Sequence, residues 1–456
     1  TSHSSLLYEE MSDIKKEKNR FLLDVNVLNL KRNKKLFDYQ EQCVTWLANC
    51  FLNSYSGVLL ADDMGLGKTF QAMCFIRLLR NCLWNKRFAN ELEPVLIVVP
   101  PILLDNFEEQ AEVFFEDPRE FGFFILHGKK IKDFYKEELD IKGKEIKTGK
   151  SLLDDTKLRS KGCIVTTYET LCIYEHSFAK IPWSLLLCDE VQKAKSINTN
   201  VSRVLKAVAS KSNFKILMSG TPIENSMYEF WNIVDTCTPG LLGALVDFKR
   251  EYKSFFKETS EKEKQEDFGK LVANIGFGDF ENGFVNGRLK EDVGKNLPEK
   301  IEQDISFDLE GETIEAIKKI KNSSDKGLSK VRQIKQVSIH KFLLNPSVGQ
   351  SNANWFKDNN RLDKLQKLIS SIKSKDEKVL IFCEFHPYQD FVQNFINQEY
   401  GFDYKPINSN LDELKKKSVL SRFQKSDGFG ALVLSPRCAG MGLNLQEANH
   451  VIHLTR

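Results

Sequence analysis

The fold this sequence predicts is α/β, with two parallel sheets that are each covered by helices. Three observations carry that expectation. Short apolar runs alternate with helix-length amphipathic stretches, and they do so in two separate sets. One of the runs passes through a glycine-rich turn straight into a helix-patterned segment. The 456 residues also exceed what a single ordinary core organises, so two or three domains are expected.

The first set of runs lies at 58–61, 95–99, 123–126, 163–166, 185–188 and 216–218, bounded by Gly, Pro, Asp or Ser. Continuous apolar runs of this length suit parallel strands buried on both faces. After the first run comes Ala61-Asp62-Asp63-Met64-Gly65-Leu66-Gly67-Lys68-Thr69, and then an apolar helical face of Ala72, Phe75, Ile76 and Leu79. Such a turn aims backbone N–H groups and a helix N-terminus at an anion. In it Lys68 reaches terminal phosphates and the Thr69 hydroxyl ligates Mg²⁺. Asp62 stands where a phosphate loop usually has its first glycine. The run at 185–188 ends in Asp189 and Glu190. A metal-bridged nucleotide needs such a second acidic site, with Asp189 holding Mg²⁺ through its water shell and Glu190 polarising the attacking water.

Residues 240–345 lack strand alternation and carry mixed charge, which predicts a mostly helical connector or protrusion. The second set of runs lies at 379–383, 431–434 and 451–454, with an amphipathic spacer at 362–372. The expected organisation is therefore a flank at 1–35, a first lobe at 36–239, the connector at 240–345 and a second lobe at 346–456. The lysine-rich stretch 129–150 is interleaved with Asp and Glu and reads as a solvated loop.

Composition bounds the function. A 41% hydrophobic and 28% charged chain is globular, and a net charge of +3 means that any polyanion must be held by a local basic surface. The ten cysteines are scattered singly, with no CxxC pair, which suits reduced thiols and gives no zinc framework. The longest apolar run, 95–104, contains Pro100 and Pro101, so no membrane span is expected. Residues 1–30 hold no signal-peptide core. An opening on Thr1 and a stop at Arg456, just after an apolar run, predict a piece of a larger protein.

The phosphate-loop string closely resembles that of the Swi/Snf-type motors of helicase superfamily two. Further segments extend the resemblance over roughly residues 36–456. Leu36-Phe37-Asp38-Tyr39-Gln40 resembles the adenine-reading segment, and Ile164-Val165-Thr166-Thr167-Tyr168 the segment that touches the DNA backbone. Met218-Ser219-Gly220-Thr221-Pro222 is similar to the segment that couples nucleotide state to DNA grip. Arg288-Leu289-Lys290-Glu291-Asp292-Val293 points to Swi/Snf-type motors in particular, and Ser435-Pro436-Arg437-Cys438-Ala439-Gly440 resembles a second-lobe motif.

The resemblance implies two RecA-like lobes that bind ATP and Mg²⁺ and move along double-stranded DNA. It places Gln40 on the base and residues 62–69 around the phosphates. Ser219, Gly220 and Thr221 fall at the coupling step, and Thr166, Thr167, Arg437 and Asn444 on DNA phosphates, which carry no base information. Departures are Phe37-Asp38 for Arg-Pro, Cys383 for serine, and Gln192 where many relatives have histidine, so that Gln192 would relay between the lobes. The arginine-bearing last motif is absent, and an arginine finger is worth about 10³–10⁵ in rate, so this fragment is expected to bind ATP better than it turns it over. A strand-separating or RNA-directed helicase and an ATP-gated DNA-binding module without turnover are the alternatives. Nucleosome remodelling, RNA polymerase recycling and bacterial anti-phage defence are the processes such motors serve, with other subunits or fused domains as partners. The bacterial cytoplasm is the expected location and the nucleus the alternative.

Overall fold

Seven parallel strands form the first sheet: β1 Val58–Leu60, β2 Val95–Val99, β3 Phe123–Ile125, β4 Cys163–Thr167, β5 Trp183–Cys188, β6 Ser212–Met218 and β7 Val285–Asn286. They are arranged in the order β3-β4-β2-β5-β6-β1-β7. The computed structural model describes residues 21–136, 149–223, 226–257, 259–293, 301–323, 327–344, 360–439, 445 and 447–455. Of the solvated loop expected at 129–150, residues 137–148 fall outside them, and Gly128–Phe134 forms a short helical stretch that buries Ile131 and Phe134. The helices longer than eight residues are α1 Asp38–Leu52, α2 Lys68–Leu78, α3 Asn106–Phe114, α4 Asn200–Ala209, α5 Met227–Cys237, α6 Glu261–Ile275, α7 Gly311–Lys321, α8 Gly327–Ile339, α9 Asn360–Ser374, α10 His386–Tyr400 and α11 Glu413–Lys425.

Two cores sandwich this sheet, and the strands divide their side chains between them with period two. Leu59, Leu96, Val98, Ile164, Leu186 and Leu217 enter one core, with Val204, Leu205 and Val208 of α4. Val58, Leu60, Ile97, Val165, Leu187 and Ile216 enter the other, with Val44 and Leu47 of α1 and Met73 and Ile76 of α2. A strand with both faces buried has no polar alternation to display, which is why these runs are continuously apolar.

The chain divides into two compact units, 1–297 and 298–456. The first unit therefore takes in the first half of the segment expected as a connector, 240–345. Phe248, Tyr252, Leu271, Ile275 and Val285 are buried in one of its cores. The strand β7 lies in that half too, and pairs Leu59 with Val285 and Leu60 with Asn286. Two residues are too few for any strand periodicity to show.

The second unit holds three parallel strands, β8 Lys378–Phe382, β9 Gly430–Leu434 and β10 His450–His453, in the order β10-β8-β9. Val379, Ile381, Ala431 and Val433 meet Leu362, Leu365, Ile369 and Ile372 of α9 and Tyr388, Val392 and Ile396 of α10. Ile339 of α8 and the following Leu343 join the same core, so the end of the expected connector packs here.

Candidate functional site

Strand order decides where the site forms. Because β5, β6 and β1 are neighbours, the segments that leave their carboxyl ends lie side by side. In open parallel sheets that edge is where ligands sit. The three segments are residues 61–67, the pair Asp189-Glu190, and Ser219-Gly220-Thr221. Backbone hydrogen bonds pin them, with Ser219 N donating to Leu60 O at 3.1 Å and Asp189 N to Val98 O at 2.9 Å.

The turn after β1 requires glycine twice, since Gly65 has φ 86° and Gly67 φ 82°. A side chain on Gly67 would also meet Gln40 Nε2 at 2.6 Å. Gly67 caps α2, whose first residues are Lys68 and Thr69. Lys68 is buried and its Nζ donates to Asp62 O at 2.7 Å and Asp63 O at 3.3 Å. Burial pulls the Lys68 pKa down, while Asp189, Glu190, Asp62 and Asp63 favour its charged form.

Asp189 is 5% exposed. Burial and the neighbouring Glu190 push its pKa up to about 6, against Lys68, the Glu190 N–H and the Thr69 hydroxyl. The Thr69 hydroxyl at the start of α2 thus lies close enough to the Asp189 carboxylate to lower its pKa. Two hard oxygen donors side by side fit Mg²⁺, which takes one or two protein oxygens and fills its octahedron with water and phosphate. Among the described residues no cluster of three or more His, Cys, Asp or Glu could cage a metal.

Glu190 adopts a left-handed conformation, φ 50° and ψ 49°, which costs a non-glycine residue on the order of 1–2 kcal/mol. Its carboxylate accepts a hydrogen bond from Gln192 Nε2. Gln192 Oε1 accepts from Ser219 Oγ at 2.9 Å, and Ser219 Oγ accepts from Thr221 N at 3.1 Å. A continuous relay therefore runs from the Glu190 carboxylate to the segment after β6, entirely inside the first unit. Gly220 approaches the turn as well, since a side chain there would meet Met64 Cγ at 2.9 Å and Lys68 Nζ at 3.6 Å.

Thr166 and Thr167, expected on DNA phosphates, are fully buried. Thr166 Oγ1 donates to Leu126 O at 2.9 Å, and Thr167 Oγ1 caps the helix Tyr168–Ile173 by accepting from Thr170 N at 3.1 Å. Gln40 is 5% exposed and held by the turn itself, donating to Leu66 O at 3.2 Å and accepting from Phe37 N at 3.0 Å. Arg437 lies on the short helix Pro436–Ala439 after β9, and Asn444 lies outside the described residues.

Asp62 is fully buried. Burial raises its pKa, and Arg288, Gln71 and Lys68 oppose the rise. Arg288 pairs with it at 3.3 Å, and Gln71 Nε2 donates to it at 3.1 Å and to Leu66 O at 3.1 Å. The family resemblance places Asp62 among the nucleotide-binding residues and gives Arg288 and Gln71 no role. The available signal was the acidic residue in a glycine's place, which demands a buried cation.

The model of the SNF2-related domain matches residues 39–372, and that of the helicase conserved C-terminal domain residues 360–456. The chain belongs to the SNF2-related family. That family falls within helicase superfamily two, and the second match is to its C-terminal helicase domain. It is 33% identical to Zorya protein ZorD of Escherichia coli O139:H28, over 98% of this chain and 42% of that protein. It is 26% identical to the putative ATP-dependent helicase/translocase YwqA of Bacillus subtilis, over 92% and 42%. The solved SWI2/SNF2 ATPase core of Sulfolobus solfataricus in complex with dsDNA is 26% identical, covering 96% of this chain and 84% of that one, with TM-score 0.49. The chain spans about two-fifths of the length of these curated relatives. Among the described residues, no helix of this SNF2-related chain is long and apolar enough to cross a membrane.

Proposed function

We propose that this chain is the ATPase motor of a double-stranded DNA translocase. The observation that carries the reading is the relay Glu190–Gln192–Ser219–Thr221, which ties a carboxylate beside the phosphate turn to the segment after β6. Lys68 and the backbone of residues 63–67 bind the phosphates. Thr69 and Asp189 would hold Mg²⁺, which neutralises phosphate charge when bound. Glu190 orients the attacking water and accepts its proton, and its altered hydrogen bond to Gln192 shifts Ser219 and Thr221, which changes the grip on DNA. Arg437 and Asn444 contact backbone phosphates, so binding is independent of base sequence. The bacterial relatives favour a cytoplasmic protein, and the Zorya relative favours anti-phage defence over the other processes.

The test is ATP turnover with duplex, single-stranded DNA and RNA. Duplex is expected to stimulate, with a logarithmic salt slope of about −0.9 per phosphate neutralised. Lys68→Ala is expected to abolish nucleotide binding and turnover with the fold intact. Stimulation by single strands or RNA alone, or unwinding of a forked duplex, supports a helicase instead. DNA binding gated by ATP with no turnover supports a switch.

A further inference from the structure

The segment around β7 does more than extend the sheet. It runs alongside the phosphate turn residue by residue. Ala61 N donates to Asn286 O at 2.6 Å and Asp63 N to Arg288 O at 2.9 Å. Gly287 permits this approach, because a side chain there would meet Ala61 O at 2.4 Å. Arg288 fastens the segment from inside. Its guanidinium lies 3.7 Å from the Phe280 ring centroid, pairs with buried Asp62 and donates to Gln42 Oε1 at 2.8 Å. Two residues on, Lys290 N donates to Asp63 Oδ2 at 3.4 Å.

This anchoring delivers an exposed lysine to the turn. A methyl group on Gly65 would lie 3.3 Å from Lys290 Cε and 3.4 Å from its Nζ. Lys68 serves the same turn from the start of α2. We infer that Lys290 is a second phosphate-binding cation of the nucleotide site, with Arg288 as the positioning residue that holds it there through Asp62. The inference rests on the ATP-binding reading above and adds a contact from the far side of the sequence. A Lys ammonium suits the task as a compact point charge on a flexible stem, able to follow phosphate oxygens as the turn moves.

Titrating the 456-residue protein with fluorescent ATP and ADP, without DNA, tests this directly. Lys290→Ala is expected to weaken ATP about 5–20-fold, the loss of one charge-assisted hydrogen bond. ADP, with one charge fewer, weakens less. Lys290→Arg restores most of the affinity, and the melting temperature is unchanged because Lys290 is exposed. Arg288→Met with Asp62→Leu removes the anchor without leaving a lone buried charge, and is expected to weaken ATP to the same extent while Lys290 is still present. If wild-type protein binds ATP, Lys68→Ala abolishes binding and Lys290→Ala stays within twofold, the inference is overturned and the nucleotide reading stands. If wild-type protein binds no nucleotide, both are overturned.

Discussion

Two ends of one sheet edge present similar residues and use them differently. At the β1–β6 end, Asp189, Glu190, Ser219 and Lys68 are buried polar groups linked across separate segments of chain. At the β4–β3 end, Thr166, Thr167 and Thr170 are just as buried, yet their hydroxyls bond neutral partners, Thr166 to Leu126 O and Thr167 to Thr170 at the helix cap, and His127 Nδ1 meets Thr170 Oγ1 at 3.1 Å. The first group contains charges pulled away from their ordinary behaviour and a residue in a costly backbone conformation. The second contains neutral groups with satisfied hydrogen bonds. Burial of a polar side chain therefore does not mark function by itself, and the unresolved electrostatic demand around it does.

The sharpest way to break that contrast is at the carboxylates. Glu190→Gln is expected to keep ATP bound and lower single-turnover hydrolysis by about 10²–10⁴-fold, the usual range for losing a general base. Asp189→Asn should instead reduce the dependence of ATP affinity on Mg²⁺. If Glu190→Gln lost ATP binding while Asp189→Asn hydrolysed normally, the two roles would be exchanged.

A middle-sized effect is expected at the relay. Ser219→Ala removes the hydroxyl that joins Gln192 to Thr221. Basal turnover should stay within a few-fold while stimulation by duplex DNA drops about tenfold, the cost of about 1.4 kcal/mol of coupling. Equal loss of basal and stimulated rates would make Ser219 a member of the hydrolytic site and not a link.

The smallest effect belongs to the other end. Thr167→Val removes a helix cap and is expected to cost about 1 kcal/mol in denaturant unfolding. Duplex affinity and its salt slope should be unchanged. A drop in the slope by about one unit would return Thr167 to the DNA surface and erase the contrast.

What could be read from sequence follows the same division. Gly65, Gly67, Lys68 and Thr69 lie within one turn, and Asp189-Glu190 closes one strand, so each carries its meaning locally. The strands were legible because doubly buried runs stand out against polar spacers. The Glu190–Gln192–Ser219 relay was legible only as separate motifs, since Gln192 and Ser219 are brought together by the adjacency of β5 and β6. The Asp62–Arg288 pair spans 226 positions and depends on a two-residue strand, which no local pattern announces. The cap made by Thr167 was legible in principle, since Thr167 and Thr170 have the three-residue spacing of a helix cap.

The two-residue strand β7 also has a practical consequence. A fragment ending at residue 239, where the chain first reads as leaving its opening lobe, would strip the last strand from the sheet. β1 would then carry a row of unpaired N–H and C=O groups along its open side, next to the apolar face that Val285 covers. Bare apolar edges of that kind recruit other chains. A lobe whose sequence runs past Arg288 keeps that edge paired, and a version ending at 239 is expected to aggregate however intact its phosphate turn.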